Sequence, residues 1–459
     1  MYQEYLKIID DRAADFCGIS DFLWDNAELP YGEYNAVEHI TGYLRKEGFT
    51  ITNNVANIPT AFTATFGSGK PHLGVLAEYD ALAGLSQAAD VTEATERPGS
   101  TVGHGCGHNL FAGGSVAAVT AIKAYIEKTG KGSITLFGCP AEEGGAGKVF
   151  MVREGVFKGI DAIVSWHPEK MYMVRTRPSL ANVRVTYSFK GIAAHAGGSP
   201  HLGRSALDAV ELMNVGCNFL REHMPLSARV HYAIVDAGGE APNLVQSHAA
   251  VVYMIRDSDA ESVQALKARV DKIAQGAALM TETTMESEVT SGYSNLITIP
   301  TLQATANESM QSIPVPVPTE EELAFGKALQ ATMILTNEQK NMPTFADHVL
   351  EPAPPTPHGG STDTADVSWN CPTVQMHIGN WVVGTPGHSW QSTVQSRGTY
   401  AKRAMLYAGK AVAGTIMRLL DRPETLAQAQ REHAEKTVAG YVCPLPAGLM
   451  PEILPKPEA

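Results

Sequence analysis

A chain of 459 residues exceeds what one hydrophobic core usually supports, so two or more domains are expected. Its composition, 44% hydrophobic and 18% charged, is that of an ordinary soluble globular protein. A formal net charge of -13 with no basic stretch argues against nucleic acid and anionic membrane surfaces as partners.

The start, Met1-Tyr2-Gln3-Glu4-Tyr5, is polar and mixed in charge, so no secretory leader is expected. No run reads as long and apolar enough for a membrane span. Cys17, Cys106, Cys139, Cys217, Cys371 and Cys443 are too scattered for a disulfide framework. A reduced, cytoplasmic enzyme is the expectation. Helical patterns cover Tyr2 to Trp24 and Asn35 to Lys46. Leu73 to Ala77 reads as a buried strand. Leu110 to Ile126 reads as an apolar helix with Asn109 at its N-cap. Ser133 to Gly138 and Ala162 to Trp166 are two more buried strands. This rhythm predicts an α/β catalytic domain whose mainly parallel sheet is flanked by helices.

The pattern changes near Asn182. Val183 to Phe189 alternates as a half-exposed strand does, a helix runs from Ser205 to Glu222, and strands follow at Val230 to Val235 and Ala249 to Ile255. A helix from Ala260 to Leu279 completes a smaller α+β insert, expected to act as lid and dimer contact. The predicted division is a catalytic, metal-binding domain over 1–182 and 295–459, with the inserted domain over 183–294. Thr298 to Thr319, rich in Pro, Thr and Ser, reads as a connection back to the first domain. Glu351 to Pro357 reads as irregular and extended, Gly359 to Asp366 and Gly384 to His388 as loops, and Tyr400 to Leu420 as a closing helix.

Acids and histidines follow the predicted strands. Glu78 and Asp80 come after the first, Glu142 and Glu143 after the second, His167 after the third. Ligands in open α/β sheets bind outside the carboxyl ends of the strands, so these side chains are expected in one crevice. His104-Gly-Cys-Gly-His108 adds a thiol and two imidazoles in a Gly-rich loop between strand and helix. Cys106 and His108 are candidate metal ligands, with His104 behind them. Glu142-Glu143 offers two separate roles, because a tight metal ligand cannot also be the general base. His388, in Gly384-Thr-Pro-Gly-His-Ser389, offers a further imidazole. A mixed Cys/His/Glu set accepts zinc, manganese or cobalt. Arg204 and Arg256 are candidate positive groups for an anionic substrate.

The motifs from Gly103 to His108, Glu142-Glu143-Gly144 and His167-Pro168 resemble the amidohydrolase branch of the zinc-dependent aminoacylase and carboxypeptidase family. Phe189 to Ala196, Ser199 to Asp208 and Gly360 to Ser368 resemble it too, in the same order. The resemblance implies a site for two divalent metal ions, zinc or manganese with cobalt possible. Cys106, His108, Glu143, His167 and His388 would be the ligands, Glu142 the general base, and Asp80 the acid that orients a ligand. His195 would stabilise the oxyanion, often across a dimer, and Asn243 would hold the substrate. Where carboxypeptidase relatives carry His-x-Asp, this chain has Glu78-Tyr79-Asp80, and the Cys106/His108 pair takes the place of that imidazole.

The expected reaction is metal-dependent hydrolysis of an amide bond in a small N-acyl amino acid or dipeptide. p-Aminobenzoyl-glutamate is the specific substrate implied, with β-alanyl or other dipeptides as the alternative. A homodimer is expected. A non-catalytic, metal-binding partner chain in a hetero-oligomer with a related chain is the rival reading.

Overall fold

The structure, a computed structural model, describes residues 2–354 and 360–456. A seven-stranded sheet forms the main body. Its strands lie in the order Thr50–Asn53, Phe62–Gly67, Ser133–Cys139, His72–Glu78, Ala162–Glu169, Thr373–Gly379 and Met173–Val174. The four central strands from Ser133–Cys139 to Thr373–Gly379 run parallel, and the outer ones pair antiparallel. Every residue of Ser133–Cys139 is buried, as expected of a strand covered on both faces. Helix His108–Thr129 lies against this sheet and packs on helices Ala13–Asp25 and Thr399–Asp421. By length and composition alone this helix could cross a membrane, contrary to the sequence reading, but most of it is buried in the protein core.

The insert has its own sheet of four antiparallel strands, in the order Arg229–Asp236, His248–Asp257, Ala181–Lys190 and Thr284–Tyr293. Helices Ala206–Leu220 and Ala260–Thr281 cover one face. Val183, Val185, Tyr187 and Phe189 point into this second core, while Arg184 is exposed on the other face. The alternation read from the sequence is therefore the alternation of burial. The Ser205 hydroxyl caps the first insert helix by accepting from the Asp208 amide.

Several expectations need correction. The first helical stretch is two helices, Gln3–Asp11 and Ala13–Asp25, broken at Arg12. The N-cap before His108 is Gly107, in the left-handed region at φ 72. Asn109 lies inside the helix, where its amide donates to Ser20 and to the Ser396 carbonyl. His167 falls within its strand rather than after it. The supposed connection holds helix Pro300–Gln311, with Leu302, Ala306 and Met310 fully buried. Helix Thr364–Asn370 begins inside the expected Gly359 to Asp366 loop. Residues 355–359, including parts of both stretches read as irregular, lie outside the described residues.

Candidate metal centre

The strand ends and the Gly-rich loop meet at one place. Gly107 turns the chain with its positive φ, and a Cβ there would meet Trp381 at 3.0 Å and Pro168 at 3.1 Å. Cys106 and His108 flank this turn. Donor atoms of Cys106, His108 and His167 lie within 4.8 Å of one another, and so do those of Cys106, Glu143 and His388. A third group, Glu78, His108 and Glu142, meets the same limit. All five expected ligands thus converge, and Glu142 stands beside them.

Neighbours fix which atom each ligand presents. His108 Nδ1 lies 3.0 Å from both the backbone oxygen and Oδ1 of Asp80, leaving Nε2 toward the cluster. The other Asp80 oxygen accepts from the Glu143 amide at 2.9 Å, so one buried acid orients two ligand positions. His167 Nδ1 donates to the Pro168 carbonyl at 2.7 Å, and its Nε2 lies 3.5 Å from Cys106 Sγ. His104 is buried at the Leu23 carbonyl, 3.1 Å away, and burial drives its imidazole pKa down to about 3. It remains neutral and belongs to the support of the loop.

The residues present fit a divalent cation. His108 Nε2 and Glu143 Oε1 are buried and have no hydrogen-bond partner. Each lies 3.2 Å from another donor, His108 from Glu78 and Glu143 from His388, without hydrogen-bond geometry. Converging lone pairs of this kind are costly until a cation accepts them. Burial, followed by the Glu143 carboxylate, pushes the Cys106 thiol well up. A cation beside that sulfur reverses the effect.

Glu142 is half-buried at the mouth. Burial, then the carboxylates of Glu78, Glu143 and Asp363, raise its pKa well above the usual carboxylate range. The loop carrying both glutamates is bracketed by Ala141 at φ 57 and Ala146 at φ 61, and His388 sits at φ 52. Left-handed backbone at residues other than glycine costs energy and concentrates at functional sites. Glu33 anchors the loop by accepting from the Ala141 amide, and Tyr31 by donating to the Gly145 carbonyl.

Sequence reasoning missed the support beneath Glu78. The Lys148 ammonium is buried between Glu78 Oε1 and Asp363 Oδ1, 2.6 Å from each, and all three side chains are at most 1% exposed. Lys148 neutralises carboxylates that would otherwise repel one another under the ligands. Glu78 was visible as a strand-end acid, but nothing near Lys148 in the chain signals its burial.

The insert residues lie apart from the cluster. His195 is exposed on a two-residue ladder, paired with Leu244. Its Nδ1 accepts from the Gly197 and Gly198 amides at 3.1 and 3.0 Å, which leaves Nε2 as an outward N–H donor. Asn243 is exposed beside it, its carbonyl accepting from the Ala196 amide. Arg204 pairs with Glu282 at 3.0 Å and does not line the crevice. Arg256 does. A cleft of about 290 Å³ is lined by Glu142 and Glu143 and by Arg184, Arg256 and Tyr293, whose hydroxyl donates to the Glu142 carbonyl at 3.2 Å. Its acidic residues belong to the glutamate loop and its basic residues to the insert sheet.

Comparison with known proteins matches residues 74–379 to the family described as Peptidase family M20/M25/M40. The chain is 43% identical to a subunit of the p-aminobenzoyl-glutamate hydrolase of Escherichia coli (strain K12), over 98% of this chain and 100% of that one. It is 28% identical to the Xaa-Arg dipeptidase of Mus musculus, over 92% and 90% of the two chains. Among solved structures it resembles a dinuclear metal binding peptidase of Bacillus subtilis, with a TM-score of 0.61, 16% identity and coverage of 90% and 99%.

Proposed function

The chain belongs to peptidase family M20/M25/M40, a family of metal-dependent hydrolases, and from that premise we propose that it cleaves the amide bond of p-aminobenzoyl-glutamate and related N-acyl amino acids. The observation that carries this reading is the meeting of five ligand side chains beside Glu142, a carboxylate that lines the cleft. A relative 43% identical over nearly the whole chain bears that substrate in its name.

Cys106, His108, Glu143, His167 and His388 would hold two divalent ions, zinc or manganese with cobalt as an alternative. When bound, such ions supply Lewis acidity and make water a competent nucleophile at neutral pH. Glu142 takes the proton of the attacking water and delivers it to the leaving amine. A carboxylate placed beside the ligands without being one of them can accept and then release a proton. Arg256 holds a carboxylate of the substrate at the basic end of the cleft, its guanidinium oriented by Ser361 at 2.8 Å. Asn243 helps to hold the substrate.

His195 presents an N–H donor suited to the developing oxyanion. It stands outside its own cluster, so the partner subunit's His195 completes each site in a homodimer. The two arginines of the cleft disfavour a basic leaving residue, which sets this reading apart from a dipeptidase of the Xaa-Arg kind. The test is turnover by purified chain, stripped of metal and then given Zn²⁺, Mn²⁺ or Co²⁺. The substrates are p-aminobenzoyl-glutamate, other N-acyl amino acids and β-alanyl and arginyl dipeptides. Metal-restored cleavage of p-aminobenzoyl-glutamate is expected. Cleavage of the dipeptides alone would reject the substrate, and no cleavage by folded, metal-loaded chain would favour the role of a non-catalytic partner chain.

A further inference from the structure

Arg184 enters the reading above only through the positive charge it lends the cleft, and its placement calls for a more specific role. It is exposed on strand Ala181–Lys190, on the sheet face away from the insert's helices. It lines the same cleft as Glu142, Glu143 and Arg256. Among the described residues its side chain has no hydrogen bond or ion pair, although the side chains of other arginines of the insert, such as Arg204 and Arg229, are engaged. Register fixes its relation to Arg256. Arg184 pairs with Met254 and Asn182 pairs with Arg256, so the two arginines are diagonal neighbours on one face. Diagonal positions on adjacent antiparallel strands lie roughly 7–8 Å apart, within joint reach of long side chains. Two carboxylates separated by a short aliphatic chain match two guanidinium groups so placed. The cleft, about 290 Å³, is at the small end of ligand pockets and suits one amino-acid leaving group.

We propose that Arg184 is a specificity-determining residue that binds the side-chain carboxylate of a dicarboxylic leaving amino acid while Arg256 holds its α-carboxylate. The role rests on the amide-hydrolase reading above. It places the scissile amide at the acidic, ligand-bearing end of the cleft and both carboxylates at the basic end. Neutral leaving groups then lose one charge-assisted contact, and basic ones meet repulsion.

The experiment compares metal-loaded wild type with Arg184→Gln and Arg184→Lys on p-aminobenzoyl derivatives of glutamate, glutamine and norvaline. Binding of free glutamate and of norvaline is followed separately by thermal shift. Wild type should prefer the glutamate compound over its neutral analogues by about tenfold or more, the worth of one charged hydrogen-bonded contact. Arg184→Gln should abolish that preference mainly through KM and lose the glutamate-dependent thermal shift, and Arg184→Lys should restore part of both. An unchanged glutamate preference in an active Arg184→Gln enzyme would overturn the role of Arg184 and leave the hydrolase reading standing. Failure of wild type on all three compounds would overturn that reading, and the proposal with it.

Discussion

Glu78 and Asp80 at a strand end of the large sheet, and His108 and Lys148 on the helices beside it, are at most 1% exposed, whereas His195 and Asn243 on the insert stand in solvent. The first group is held by buried ion pairs and by loops with left-handed residues. The second is held by a two-residue ladder and a few backbone hydrogen bonds. Rigid support suits groups that must converge on a cation before substrate arrives. Light support leaves groups free to adjust to a substrate or a second protein surface.

The difference can be broken from either side. Lys148→Met leaves Glu78 and Asp363 buried without their common cation, and should cost about 3–5 kcal/mol in urea unfolding. A loss below about 1 kcal/mol would mean that the pairs under the cluster contribute little. On the insert, His195→Ala should lower kcat about 10²–10³-fold with little change in unfolding. Mixing His195→Ala with Glu142→Ala chains should restore activity in mixed dimers, because the site that keeps Glu142 then receives the other chain's intact His195, while the second site lacks both. No recovery would place His195 in its own chain's reaction.

A subtler contrast lies in pH dependence. Asp366 is buried in the main body, accepting from the Ser294 amide and hydroxyl and from Tyr441, and burial raises its pKa to about 7. An acid whose folded pKa lies above its unfolded value, roughly 3.9, stabilises below that value and loses the contribution as pH rises through about 7. Wild type should therefore lose stability between about pH 4 and pH 7 at this group, and Asp366→Asn should flatten that slope. An unaltered slope would show that burial is not what Asp366 senses. The smallest effect belongs to the insert surface. Lys190 and Glu286 form an exposed pair at 3.1 Å, and Lys190→Met should change stability by at most about 1 kcal/mol.

The cluster was legible because its ligands carry their own local signatures. Cys106 and His108 stand in a glycine-rich turn, Glu143 follows strand Ser133–Cys139, and His167 lies near the end of strand Ala162–Glu169. The parallel strands were legible because burial on both faces leaves apolar runs. Lys148 was not, because in Gly145-Ala-Gly-Lys148 it reads as an ordinary surface cation. Its burial comes from Glu78 and Asp363, both remote in sequence. Strand Thr284–Tyr293 was missed for a related reason. It is an edge strand of mostly polar residues, exposed in its first half and buried only at its end, with a register shift between Val289 and Ser291, and so shows no alternation. Helix Pro300–Gln311 hid behind its Pro and Thr content, although Pro300 in its first turn and the spacing of Leu302, Ala306 and Met310 are helix signals. His195, Asn243 and Arg204 had motif support, but motif order cannot place residues from an insert relative to a cleft in another domain.

In the proposed reaction Glu142 moves the proton at a metal centre it does not itself hold together. Glu142→Ala should be measured for bound zinc, manganese and cobalt by elemental analysis and for turnover of p-aminobenzoyl-glutamate in the same preparation. Wild-type metal content with turnover lowered about 10²–10⁴-fold is expected. Wild-type metal content with turnover within a few-fold of wild type would contradict it.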